Sequence, residues 1–136
     1  MQDHVSLDLG KVKKAARVCL KALGHEKASL SILLVDDRKM REIHSRWLGS
    51  RRTTDVLSFP QEAVARGVPV VLGDVVISAQ TAARRVPRNA LGEVGRYLVH
   101  GILHLSGRDH QRPQDRRRMR LESARLEKLI AGGLRR

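Results

Sequence analysis

The sequence predicts an α/β (α+β) fold in a single domain over residues 1–136, with about four short strands interspersed with helices. Three observations point there. Short runs of β-forming and apolar residues alternate with stretches of helical periodicity. Glycine and proline punctuate the boundaries. One long helix, from about Asn89 to Ser106, carries a stripe of Leu91, Val94, Leu98, Ile102 and Leu105 that is apolar enough to be buried against the sheet.

Taken in order, Val5, Leu7 and Leu9 alternate as a short strand would. Helical periodicity then runs from about Gly10 to Leu23 through Val12, Ala15, Ala16, Cys19 and Leu20, and Gly24 closes it. Residues 28–35 read as a buried strand. Asp36 or Asp37 caps a helix that reaches about Leu48, with Met40, Ile43 and Trp47 inward. A loop from Gly49 to Thr53 carries Arg51 and Arg52, and a short strand from Thr54 ends at Pro60. Residues 61–70 form a loop containing Gly67 and Pro69. The run Val70 to Ser78 is a central strand with a kink or bulge at Gly73-Asp74. A helix from Ser78 to about Arg85 breaks at Pro87-Arg88-Asn89, before the long helix. Pro113 and Gly132-Gly133 frame a last amphipathic helix with Met119, Leu121, Leu126, Leu129 and Ile130 on its apolar side. Its basic residues Arg116, Arg117, Arg118 and Arg120 are either a solvated face or a patch toward RNA, and spacing does not decide between them.

The 136 residues carry 27 Lys plus Arg against 14 Asp plus Glu, a formal net charge of +13. That excess favours a polyanionic partner, and binding carried by phosphate contacts weakens steeply with salt. No apolar run approaches a membrane span, and Met1-Gln2-Asp3-His4 does not resemble a signal peptide. The single cysteine, Cys19, excludes an intramolecular disulfide and fits the cytoplasm. Trp47, Phe59 and Tyr97 are the only aromatic residues, too few for a base-stacking platform.

The chemistry concentrates in His100-Gly101-Ile102-Leu103-His104-Leu105-Ser106-Gly107-Arg108-Asp109-His110, which holds three of the six histidines. Four residues apart on a helix, His100 and His104 project from one face, one turn apart. Gly107 can end the helix in the left-handed conformation, letting His110 approach the same point from a third direction. Three converging imidazoles match a catalytic zinc site with its fourth tetrahedral position open. Asp109 reads as a turn former or as a partner that orients a histidine. The spacing is also that of the metzincin peptidase motif, H-E-x-x-H-x-x-G-x-x-H, except that the Glu serving there as general base is Gly101 here.

With these residues in hand, the chain resembles the bacterial YbeY family of rRNA-maturation endoribonucleases, whose pattern is H-G-x-L-H-L-x-G-y-D-H, with Arg108 in a place usually aromatic. Two further blocks agree in order and spacing, Thr54 to Pro60 and Gly73 to Ser78, and Met119 and Glu122 also fit. The resemblance implies a small mixed sheet packed with helices, one zinc ion on His100, His104 and His110, and single-strand-specific RNA cleavage. It further implies work on the 3′ end of small-subunit rRNA and in ribosome quality control, near the Era GTPase or a small-subunit ribosomal protein. The family has an aromatic-Arg-Gly element whose Arg serves catalysis; Trp47-Leu48-Gly49 stands there in this chain. Arg46, Arg51 or Arg52 can supply the guanidinium, Arg51 and Arg52 with the better loop placement. Asp55 and Asp74, in the two other blocks, are candidates for positioning water or a histidine, or else for strand-end hydrogen bonding. Ser58 and Phe59 are candidates to line the substrate groove. A monomer is the favoured state, and a non-catalytic, zinc-stabilised rRNA-binding assembly factor is the rival reading, ahead of a metallopeptidase.

Overall fold

In the computed structural model, residues 7–46, 55–60, 71–106 and 113–134 are described. The elements run α1 (Leu9–Ala22), β1 (Ser29–Val35), α2 (Asp37–Arg46), β2 (Val56–Pro60), β3 (Val71–Ser78), α3 (Ala79–Arg85), α4 (Ala90–Leu105) and α5 (Pro113–Ala131), followed by a 3₁₀ turn, Gly132–Leu134. The sheet is mixed, as the family resemblance implies, in the order β1-β3-β2. Strand β3 pairs parallel with β1 and antiparallel with β2.

Three strands are described rather than four. The predicted first strand lies partly outside the described residues, and Leu9, its last member, opens α1 instead. Asp8 is the physical reason. Its carboxylate accepts from the Lys11 N–H at 3.2 Å, an N-cap that starts a helix where apolar alternation alone reads as a strand. The cap predicted for α2 is in place. Asp36 accepts from the Lys39 N–H at 2.8 Å to begin α2, Ser78 caps α3 and Asn89 caps α4.

The predicted irregularity in β3 is a bulge. Ser29 pairs with Val71 and Leu30 with Gly73, so Leu72 is the extra residue. Gly73 takes φ +144°, and a side chain there would meet the Phe59 carbonyl across the ladder at 2.2 Å. Only glycine fits both conditions.

Alternation along the strands sorts the core into two layers. Val56, Val75 and Ile77 face α1, α4 and α5 with Leu98, Ile102 and Leu126. Leu57 and Val76 face the other way, onto Met40 of α2. Each fully buried side chain of this kind contributes about 1.5–3 kcal/mol by leaving water, so the central position of α4 is set by its six large buried apolar residues: Leu91, Val94, Leu98, Val99, Ile102 and Leu103. In α5, Met119, Leu126 and Ile130 are buried as predicted, but Leu121 and Leu129 are 64% and 52% exposed. The buried stripe follows the 3–4 spacing 119, 123, 126, 130, which passes through Ser123 and leaves both leucines off it.

Candidate metal and nucleic-acid site

Helix α4 positions the histidines because it is pinned from both ends and beneath. Asn89 accepts from the Gly92 N–H at 3.1 Å at its start, and Ser106 closes its end, its N–H and hydroxyl both donating to the Ile102 carbonyl (2.9 and 2.8 Å). Between them Gly101 lies buried against the sheet, where an added Cβ would stand 2.7 Å from Val75 Cγ1 and 3.3 Å from Ser58 Oγ. The Ser58 hydroxyl donates to the Gly101 carbonyl at 3.5 Å. Ser58 thus fastens β2 to the helix turn that separates the two histidines.

His100 is exposed and His104 half-buried, one turn apart on this anchored helix. His110, the third ligand of the sequence reading, lies outside the described residues, as do Gly107, Asp109, Arg51, Arg52 and Leu48. Among the described residues no three metal-ligating side chains come together. The two imidazoles that are described share a helix face at ligand spacing, and that donor set fits zinc.

The steric tightness at Gly101 bears on peptide chemistry. A metzincin-type Glu at this position would have to occupy the space of Val75, so the helix–sheet packing itself excludes that base.

The candidate carboxylates separate by face. Asp74 belongs with Val76 on the side of the sheet that α2 covers, paired across the ladder with Phe59, whereas Val75 lies under α4. The fold does not bring Asp74 to the histidine face. Phe59 packs with the α2-side cluster, so it is core rather than groove lining. Asp55 is buried at the start of β2, where its carboxylate takes the Val56 N–H and the Arg85 guanidinium, each at 2.8 Å. Its carbonyl accepts from the Ser78 N–H at 2.9 Å. This is the strand-end role.

Sequence reasoning missed the rest of that network. Arg85 also donates to the Tyr97 hydroxyl at 3.3 Å, joining β2, α3 and α4. Burial, the hydrogen bond to Glu93 and the Glu93 charge push the Tyr97 phenol up to about 12, against the opposing pull of Arg85. The one local signal was Glu93-x-x-Arg96-Tyr97 on a single helix; the partners on α3 and β2 are too distant in sequence to be read.

A groove of about 660 Å³ opens beside His100 between α4 and α5, lined by Arg96, Arg116, Met119, Arg120, Ser123 and Glu127 among others. Arg96 is held by Glu93 (3.5 Å) and Glu127 (3.6 Å). No helix among the described residues is long and apolar enough to cross a membrane.

A mixed three-stranded sheet whose buried cross-helix presents a pair of histidines is the architecture this fold and site define. Residues 1–130 match the family described as Endoribonuclease YbeY, and the chain belongs to that family. It is 49% identical over 131 residues to the Endoribonuclease YbeY of Anaeromyxobacter sp. (strain Fw109-5), covering 92% of this chain and 68% of that one. The Endoribonuclease YbeY of Aquifex aeolicus is 40% identical, covering 88% and 82%. A solution structure of a Thermotoga maritima protein shares the fold, with TM-score 0.62 and 23% identity, covering 91% of this chain and 81% of that one.

Proposed function

We propose that this chain is a zinc-dependent endoribonuclease specific for single strands, acting in the cytoplasm on the 3′ end of small-subunit rRNA and in ribosome quality control. The observation that carries the reading is the pair His100 and His104, one turn apart on a helix locked to the sheet, in a chain of the YbeY family. Nearby partners in this reading are the ribosome itself and the Era GTPase or a small-subunit ribosomal protein.

His100 and His104, with His110, are the residues to hold the metal. A bound zinc ion supplies Lewis acidity toward a phosphoryl oxygen and lowers the pKa of water. The chain's own contribution is placement: Gly101 and Ser58 fix the helix turn, and arginines bind phosphate in a fork of donors. Arg51 or Arg52 takes the part of the family arginine that Leu48 replaces.

That replacement favours one second reading, a zinc-stabilised rRNA-binding assembly factor without catalysis. Cleavage of a single-stranded RNA by untagged protein, with and without chelator and beside His104→Ala, tests both. Chelator-sensitive cleavage that His104→Ala abolishes is the expected result. RNA binding without cleavage supports the assembly factor, and cleavage undiminished in His104→Ala overturns the enzymatic reading.

A further inference from the structure

The run of arginines at the start of α5 is divided by the fold. Arg116 and Arg120, four residues apart, line the groove between α4 and α5, while Arg117 and Arg118 do not. We propose that this groove is a track for the backbone of single-stranded RNA, with Arg116 and Arg120 taking the phosphates next to His100. The proposal rests on the ribonuclease reading and names the part of the molecule that holds its substrate.

The direction of the groove follows from pairs of residues across it. Gly95 lies against Leu134 and Ile130, and Arg96 reaches Glu127, so α5 runs antiparallel to α4. One turn further along α4, His100 stands toward the Arg116–Arg120 end. The two ends differ in charge. At the far end Glu93 and Glu127 neutralise Arg96. At the histidine end Arg116 and Arg120 are exposed, and among the described residues neither has a carboxylate partner. A polyanion is therefore attracted to the histidine end and repelled by the carboxylates at the other.

The lining selects backbone over bases. Among the described residues no Phe, Tyr or Trp lines it, so the lining lacks an extended stacking platform, and Ala124 offers a small apolar surface for ribose. Guanidinium groups one helical turn apart bind phosphate without regard to sequence. His100 belongs both to this lining and to the histidine pair, which makes the track continuous with the candidate metal site.

The test is fluorescence anisotropy with a labelled single-stranded 2′-O-methyl oligoribonucleotide of mixed sequence, titrated at several salt concentrations. The proteins are wild type, Arg116→Gln/Arg120→Gln, and Arg38→Gln/Arg41→Gln on α2 as an equal change of charge across the sheet. Each groove substitution is expected to weaken binding about tenfold and to lower the log–log salt slope by about 0.7. The α2 variant should bind nearly as wild type does. In cleavage of an unmodified RNA, KM should rise while kcat is kept. Equal affinity and slope in wild type and the groove variant, or equal losses in both variants, overturns the track while leaving a cleaving wild type a ribonuclease. A wild type that neither binds nor cleaves RNA removes both readings.

Discussion

Gly101 and Val75 approach so closely that a methyl group on the helix would stand 2.7 Å from Val75 Cγ1 and 3.0 Å from Cγ2. Alanine in a helix interior ordinarily gains about 0.5–1 kcal/mol over glycine. Val75 is fully buried on a central strand and has no free end to swing aside. Overpacking of this kind costs about 1–3 kcal/mol, so the steric term wins and Gly101→Ala is expected to unfold at lower urea than wild type. Combined with Val75→Ala, its cost should be less than the sum of the two single changes. A more stable Gly101→Ala protein would show that the helix does not sit this close to the sheet.

Asp37 ties α2 to α3. Its carboxylate accepts from the hydroxyls of Ser78 (2.7 Å) and Thr81 (2.9 Å) and from the Arg84 guanidinium. Burial pushes its pKa up, but the hydrogen bonds from Ser78, Arg84 and Thr81, with the Arg84 charge, together outweigh it and hold the group below the usual carboxylate value. A depressed folded pKa means stability that is fully present above the unfolded value of about 3.9 and lost as pH falls through the folded one. Asp37→Asn should therefore lower stability by about 1–3 kcal/mol at neutral pH, and its deficit should shrink as the solution is acidified below about pH 4. Arg84 is 64% exposed, and solvent-screened pairs contribute about 0–1 kcal/mol. Arg84→Gln should therefore cost less than Asp37→Asn in the same denaturant titrations.

The Asp55–Arg85 pair is asymmetric. The Asp55 side chain is 11% exposed and Arg85 51%. Removing the carboxylate deprives the Val56 N–H of an acceptor at the start of β2, whereas removing the guanidinium leaves a carboxylate still bonded to that N–H. Asp55→Ala is expected to cost about 1–3 kcal/mol, Asp55→Asn less, and Arg85→Gln least. In all three, RNA cleavage per folded molecule should be retained. A variant that keeps wild-type stability but loses turnover would return Asp55 to the reacting site.

The histidine pair and the helix that bears it were legible because both are local: a spacing of four, an apolar stripe and a Pro87-Arg88-Asn89 break at its start lie within one stretch of chain. The side of the sheet on which Asp74 sits was not. Val75, Val76 and Ile77 are all apolar because β3 is covered on both faces, so alternation carries no signal there. Leu121 and Leu129 look inward by residue type, yet the spacing set by Met119, Leu126 and Ile130 excludes them. The division of the arginine run likewise depends on where α4 lies, information that the α5 sequence does not contain.

Metal binding should be visible as stability. A ligand that binds the folded state alone, at a free concentration a hundredfold above its Kd, adds about 2.7 kcal/mol, which in a domain of this size raises Tm on the order of 10 °C. Untagged, chelator-stripped protein titrated with zinc should show that rise by calorimetry. His104→Ala should lose most of it, because His104 is the half-buried member of the pair on α4 and its loss leaves one imidazole on that helix. His44→Ala, on α2 across the sheet, should keep it. Loss of the zinc response in both variants alike would point to nonspecific binding, and a full response in His104→Ala would place the ion elsewhere.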